Sequence, residues 1–282
     1  MAIHTLPATA TAVPRAAPPP APRARRRLGP GRRIPYGRAL GPLLVLAVWS
    51  LASATSLLDP RMLSAPWTVV GTAADLIASG DLQRNILASL ERAVFGFLIG
   101  ATVGTTCAIL AGISRAGEAL IDGPVQIKRA IPTIGLIPLL ILWLGINETF
   151  KIVLIAIAVG ISMYMQVYVG LTGIDHRYVE LAEVQRYSRW EFLRHVVFPG
   201  ALPGFFVGLR LAVTASWLIL ITVEQINALS GVGYMMAQAQ LYAQTDVIVV
   251  GLVVYGLFGY ASDALLRLVE RRVLSWRRTL TS

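Results

Sequence analysis

Apolar runs of bilayer length alternate along this chain with short charged or glycine-rich stretches. A helix rises 1.5 Å per residue, so about 20 mostly apolar residues cross the hydrocarbon core. Six runs meet or approach that length: 39–58, 93–113, 131–145, 150–171, 205–226 and 247–269. The third is short and carries Pro132 and Pro138. Prolines remove backbone donors and bend helices, so this span is expected to be kinked and packed against protein. Ahead of the second run, Leu82, Ile86, Leu90 and Val94 recur at helical spacing. They predict a short amphipathic helix in an external loop, 59–92, entering the span through Ser89-Leu90-Glu91-Arg92. Residues 175–204 break the pattern. Asp175, Arg177, Glu180, Glu183, Arg186, Arg189, Glu191 and Arg194 cannot lie in hydrocarbon. Val179, Ala182, Trp190, Leu193 and Val197 meanwhile recur at helical spacing, predicting a solvated helix pair with one apolar side. Pro199 and Pro203 are expected to end it before the fifth span.

Composition fits an all-α membrane protein. Hydrophobic residues make up 55% and charged residues 14%, with a mean hydropathy of +0.65, outside the soluble norm. Residues 1–38 hold eight arginines and no acid among many prolines and alanines. Such a segment cannot bury a core and reads as a disordered basic tail. It is a positive-inside anchor rather than a signal peptide, and no aromatic interleaves with its arginines as a nucleic-acid arm would require. Arg115, Lys128 and Arg129 in the 114–130 loop, the 175–204 segment, and Arg271, Arg272, Arg277 and Arg278 hold most of the remaining basic charge. The loops 59–92, 146–149 and 227–246 hold only Arg61, Arg84 and Arg92. By that bias both termini face the cytoplasm across an inner or plasma membrane, as an even span count requires. The net charge of +10 therefore orients the chain and meets anionic lipid.

The chemistry present is sparse. One cysteine, Cys107, lies in an apolar run, and three scattered histidines make no metal pattern. No nucleophile has a base at usable spacing, and there is no phosphate loop. Gly231-Val232-Gly233 has neither a preceding strand nor an acidic ribose partner, so it binds no dinucleotide. The chain is not expected to be an enzyme or to hold a cofactor. Ionisable residues at membrane depth are functional or paired, which singles out Arg210, able to snorkel, and Glu224, a gate or helix-pairing residue near the outer mouth. Asp263 and Arg267, four apart, form a candidate helix pair. Ser162, Gln166 and Thr172 put polar groups into the fourth run, where they meet either the solute, a twin subunit or a neighbouring helix. A passive channel would need a ring of charge in the spans, and a membrane enzyme would need clustered His, Asp or Glu. Neither is visible.

The order of motifs resembles the permeases of binding-protein-dependent ABC importers, most of all the nitrate, sulfonate, taurine and bicarbonate branch. The residues that carry the resemblance are Glu180-Leu181-Ala182, Pro199-Gly200-Ala201-Leu202-Pro203-Gly204, Gly208-Leu209-Arg210-Leu211-Ala212, Glu224, and Ser230 to Tyr234. Arg129, Pro132, Pro138, Trp143 and Gly145 match a further signature of that family. The resemblance implies six transmembrane helices, with a cytoplasmic coupling helix between spans four and five. It extends over about 67–276, and together with the composition and the apolar runs it divides the chain into a tail (1–38), a first helix (39–58), the external loop, a core of five transmembrane helices (93–276) and a short tail (277–282). It implies two partner ATPase subunits that use ATP and magnesium, a periplasmic or lipoprotein substrate-binding protein, and a second permease copy. Glu180, Ala182, Glu183, Arg186, Trp190, Leu193, Pro199 and Pro203 would then couple to the ATPase, with Trp190 and Leu193 buried in its groove. Thr133, Trp143, Ser162, Gln166 and Glu224 would line the pathway or its gate. Arg186 stands where the family has a glycine, which suggests a straighter junction or an added ion pair. The solute expected is a small oxyanion, although related permeases also carry uncharged and aromatic compounds.

Overall fold

The computed structural model describes residues 37–275. Among them only helices and turns occur, with no strand. The chain divides into Met1–Val45 and Leu46–Ser282. Of the first unit only the opening of α1 (Gly37–Ala54) is described, so the tail expected over 1–38 lies almost wholly outside the described residues, as does 277–282.

Among the described residues, four helices are long and apolar enough to cross a membrane, and a helix pair bent by 97°, a broken span or a re-entrant loop, reaches that length and apolarity only when taken together. Six were expected. The first run lies in α1, whose part from Leu40 to Ala54 is an apolar helix among the described residues; the helix ends just ahead of Ser56, where φ is 54°. The second run extends the other way. α2 (Pro66–Ala78) ends before Gly80, whose φ of 80° restarts the chain as α3 (Asp81–Ile113). Leu82, Ile86, Leu90 and Val94 therefore belong to the spanning helix and not to a separate surface helix. Arg92, expected at a loop boundary, lies well inside it. α2 is tied instead to the start of the last helix, with Thr72 Oγ1 donating to Asp246 Oδ2 at 2.6 Å.

The stretch 114–130, expected as a loop, is also helical. Ser114 caps α4 (Arg115–Ala130) by accepting from Gly117 N at 2.9 Å, and Lys128 and Arg129 sit favourably in its last turn. A 3-10 turn (Thr133–Leu136) and α5 (Ile137–Leu144) follow, bent by 97° from α4. Pro132 explains the bend, since it cannot donate and holds Ile131 extended at ψ 120°. The kink is where the sequence put it; the span is longer on its near side.

α6 (Glu148–Thr172) is the centre of the bundle. It packs between α3 and α9 (Phe198–Asn227), and Leu154, Ile155, Val159 and Met163 are fully buried. Apolar lipid gives helices no hydrophobic reason to associate, so close backbone approach must do it. On α3, Gly96, Gly100, Gly104 and Ala108 recur every fourth residue, and a Cβ at Gly100 or Gly104 would strike the Ala156 or Gly160 carbonyl. Gly204 of α9 meets Gly170 and the Gln166 carbonyl on the other side.

Between α6 and α9 stand α7 (His176–Val184), α8 (Arg189–Phe192) and a π turn (Leu193–Val197). The expected break at Pro199 and Pro203 is not found: Arg189–Asn227 is one helix of 39 residues. Pro199 falls in the first turn of α9, and the π turn, with Phe198 N bonded to Leu193 O, shifts the hydrogen-bond register just before the prolines. α10 (Val232–Leu241) and α11 (Thr245–Val273) complete the chain.

Candidate functional site

At the end of the bundle that carries α10, residues of α3, α10 and α11 converge on Glu224 of α9. Its side chain is fully buried. It accepts from Ser89 Oγ at 2.7 Å, Arg92 Nη1 at 2.7 Å, Gly233 N at 2.9 Å and Tyr255 Oη at 2.9 Å. A carboxylate has about four lone-pair sites, so each is used. Arg92 is equally saturated. Its Nε and Nη2 donate to Glu148, Nη1 to Glu224 and to Ser230 O, and Nη2 also to Ser230 Oγ at 3.0 Å. Lys151 Nζ, 4% exposed, donates to Glu148 Oε1 at 2.7 Å. Two cations and two anions therefore cancel, and only Glu148 reaches solvent substantially, at 56%.

The Ser230–Tyr234 motif has a reason here. Gly231 N donates to Asn85 Oδ1 and Val232 N to Ser89 Oγ, each at 2.8 Å. Gly231 adopts φ 117°, and a side chain on it would collide with the Glu224 carboxyl group. The glycines are what let the backbone close over a buried charge. Sequence reading singled out Glu224 but missed Ser89, Glu148, Lys151 and Tyr255 as its company. The available signal was the i,i+3 spacing of Glu148 and Lys151 and the position of Arg92 ahead of an apolar run.

At the opposite end, α7 and α8 form the helix pair expected over 175–204. Asp175 caps α7, and Ser188 with Glu191 makes a reciprocal capping box on α8. Arg186, in the glycine position, takes φ 54°. The turn is therefore kept and not straightened, and the guanidinium makes no ion pair among the described residues. Left-handed backbone at a non-glycine residue costs about 1–2 kcal/mol. Ala182 is buried, whereas Glu180, Glu183 and Trp190 are exposed, Trp190 at 65%. Glu180 faces His176 Nδ1 at 3.2 Å. Leu193 does not share the outward face of Trp190. It is half-buried against the core, lining a cavity of about 440 Å³ with Ile113, Leu171, Val179 and Phe192.

The remaining candidates are dispersed. Thr133 accepts from Lys128 Nζ at 2.7 Å. Trp143 is 68% exposed on α5. Ser162 and Thr172 donate back to their own helix, to Ala158 O and Tyr168 O. Gln166 stands at the α6–α9 seam, its Cβ against Gly208. Arg210 and Arg267 both pair with Asp263, so the expected pair on α11 also recruits α9.

Residues 100–275 match the family model described as binding-protein-dependent transport system inner membrane component. Two relatives span nearly the full chain, both named aliphatic sulfonates transport permease protein SsuC. That of Escherichia coli (strain K12) is 41% identical over 235 residues, covering 83% of this chain and 89% of its own. That of Bacillus subtilis (strain 168) is 35% identical over 256 residues, covering 90% and 92%. Among solved structures, a chain of an amino acid ABC transporter crystallised with histidines has the same fold, with a TM-score of 0.57 at 17% identity. The match covers 72% of this chain and 96% of that one.

Proposed function

The chain belongs to the family of binding-protein-dependent transport system inner membrane components, a multi-pass membrane permease of an ABC importer, and from that premise we propose that it carries small oxyanions inward, alkanesulfonates foremost. Two copies, set on two ATPase subunits that bind ATP and magnesium, form one translocation path. A binding protein delivers the solute at the α10 end, and the α7 end with both termini faces the cytoplasm. Support for the sulfonate reading comes from the two relatives that cover nearly all of the chain.

The helix geometry suggests how the work is transmitted. ATPase closure moves the exposed α7–α8 pair. α8 runs without interruption into α9, about 58 Å of rod at 1.5 Å per residue, and the far end of that rod carries Glu224. A displacement at Trp190 is thereby delivered to the charge network on the other side, in the manner of alternating access. The test is uptake of radiolabelled butanesulfonate into proteoliposomes holding the permease, its ATPase and its binding protein. ATP-dependent accumulation is expected; equal uptake with a non-hydrolysable nucleotide would indicate a passive channel, and accumulation of only uncharged solutes would overturn the oxyanion assignment.

A further inference from the structure

Between α3, α4 and α6 lies a cavity of about 300 Å³, walled by Val103, Cys107, Val125, Ile157 and Tyr164 and by the stem of Lys128. Its depth in the bundle is fixed by two hydrogen bonds. Tyr164 and Tyr168 stack at 5.6 Å on α6 and donate to Asp122 at 3.0 Å and Glu118 at 2.8 Å on α4. These pairs set α4 antiparallel to α6, in a register that places Lys128 level with the stretch around Ala158. That level is about 15 Å from the Glu148 end of α6 and about 21 Å from its Thr172 end, at 1.5 Å per residue. Lys128, a loop residue by its sequence, is thus a cation level with the middle of the apolar helix α6. It has no carboxylate partner among the described residues; its one hydrogen bond goes to Thr133 Oγ1, which leaves two of its three ammonium donors unused. The carboxylates on its own helix that lie nearest in sequence, Asp122 and Glu118, are occupied by the tyrosines.

A cation at membrane depth is costly unless something meets it, and such residues mark solute pathways. We propose that Lys128 and Thr133 form an anion-binding site within the translocation path, taking a sulfonate-type head group, with the apolar cavity receiving its short alkyl chain. This rests on the oxyanion reading above. The ammonium supplies the charge-assisted donors that a desolvated sulfonate needs, Thr133 supplies a second donor once the ammonium turns to the solute, and the cavity wall replaces water around the chain.

The experiment is equilibrium binding of radiolabelled ethanesulfonate, butanesulfonate and hexanesulfonate to the purified permease–ATPase complex without binding protein, with uptake and hydrolysis measured on the same preparations. Lys128→Met is expected to weaken binding at least about tenfold, the loss typical of a charged hydrogen bond, while binding-protein-stimulated hydrolysis continues. Lys128→Arg should restore most of the affinity, Thr133→Val should weaken it a few-fold, and affinity should rise from two to four carbons. Unchanged binding and uptake in Lys128→Met would overturn the site while ATP-driven uptake of sulfonate by the wild type still upheld the importer reading. A wild type that neither binds nor imports any sulfonate would overturn both.

Discussion

Replacing one oxygen of Glu224 with an amide would leave Arg92 buried beside a neutral group and would point two donors at Gly233 N and Tyr255 Oη, which donate already. Breaking a buried pair from one side typically costs about 3–5 kcal/mol. Glu224→Gln is therefore expected to lower the midpoint of thermal unfolding in detergent markedly, and Glu148→Gln to lower it too, because it takes from the buried Lys151 its carboxylate partner. The double change Arg92→Met with Glu224→Leu should recover much of the loss, since it leaves no unpaired charge at their contact. Equal melting of Glu224→Gln and wild type would show that the network carries no stability. Arg186 allows a prediction of the opposite sign. Its φ of 54° is free of strain only for glycine, so Arg186→Gly should keep the α7–α8 turn and gain up to about 1 kcal/mol. Arg186→Ile should lose coupled uptake at normal expression, because a β-branched residue resists that conformation.

At the scale of elements, close contact governs the bundle more than hydrophobicity does. Gly100→Leu would force α3 away from α6 across the whole seam, with overpacking that commonly costs about 1–3 kcal/mol; Gly256→Leu on α11, with nothing within reach of a Cβ, should be silent. Similar melting of the two variants would disprove the seam. Much of this layer was legible in the sequence. The apolar runs located the cores of α3, α6, α9 and α11, and Pro132 located the bend. What escaped follows from rules that run lengths do not contain. A helix continues beyond its apolar stretch wherever capping and partners permit, which is why α3 begins at Asp81 and α4 fills a presumed loop. A proline does not always end a helix: Pro199 follows the π turn at Leu193–Val197 in the first turn of α9, where its missing donor is tolerated, and Pro203 is carried inside α9. The Glu224 site was half legible. A lone acid in an apolar helix announces itself, but its partners lie 132 and 135 residues away, and no local spacing reveals them. The small-residue spacing from Gly96 to Ala108, by contrast, was present in the sequence and passed unread.

For the whole molecule, the decisive question is whether force enters at α7–α8. Trp190 is exposed in the first turn of the helix from Arg189 to Asn227, clamped by the Ser188–Glu191 capping box, so its exposure is held by the fold and not by chance rotamers of a loose loop. The charged residues at 186, 189, 191 and 194 on the same short stretch exclude hydrocarbon as its cover. A large aromatic set among charges fits a protein groove, where truncating a buried anchor often costs about 2 kcal/mol or more and rim charges cost much less. Trp190→Ala should thus weaken ATPase association or release hydrolysis from uptake, Glu183→Ala should do little, and Glu180→Ala should fall between through its contact with His176. Leu193→Ala separates docking from folding. Because Leu193 packs against the chain's own core, it should lower the unfolding midpoint of the permease alone, whereas Trp190→Ala should leave that midpoint untouched. The measurement is uptake and hydrolysis together in proteoliposomes, alongside melting of the isolated permease. Tight coupling preserved in both Trp190→Ala and Glu180→Ala would mean that the ATPase grips the permease elsewhere, and that the long helix from Arg189 to Asn227 is a strut, not a lever.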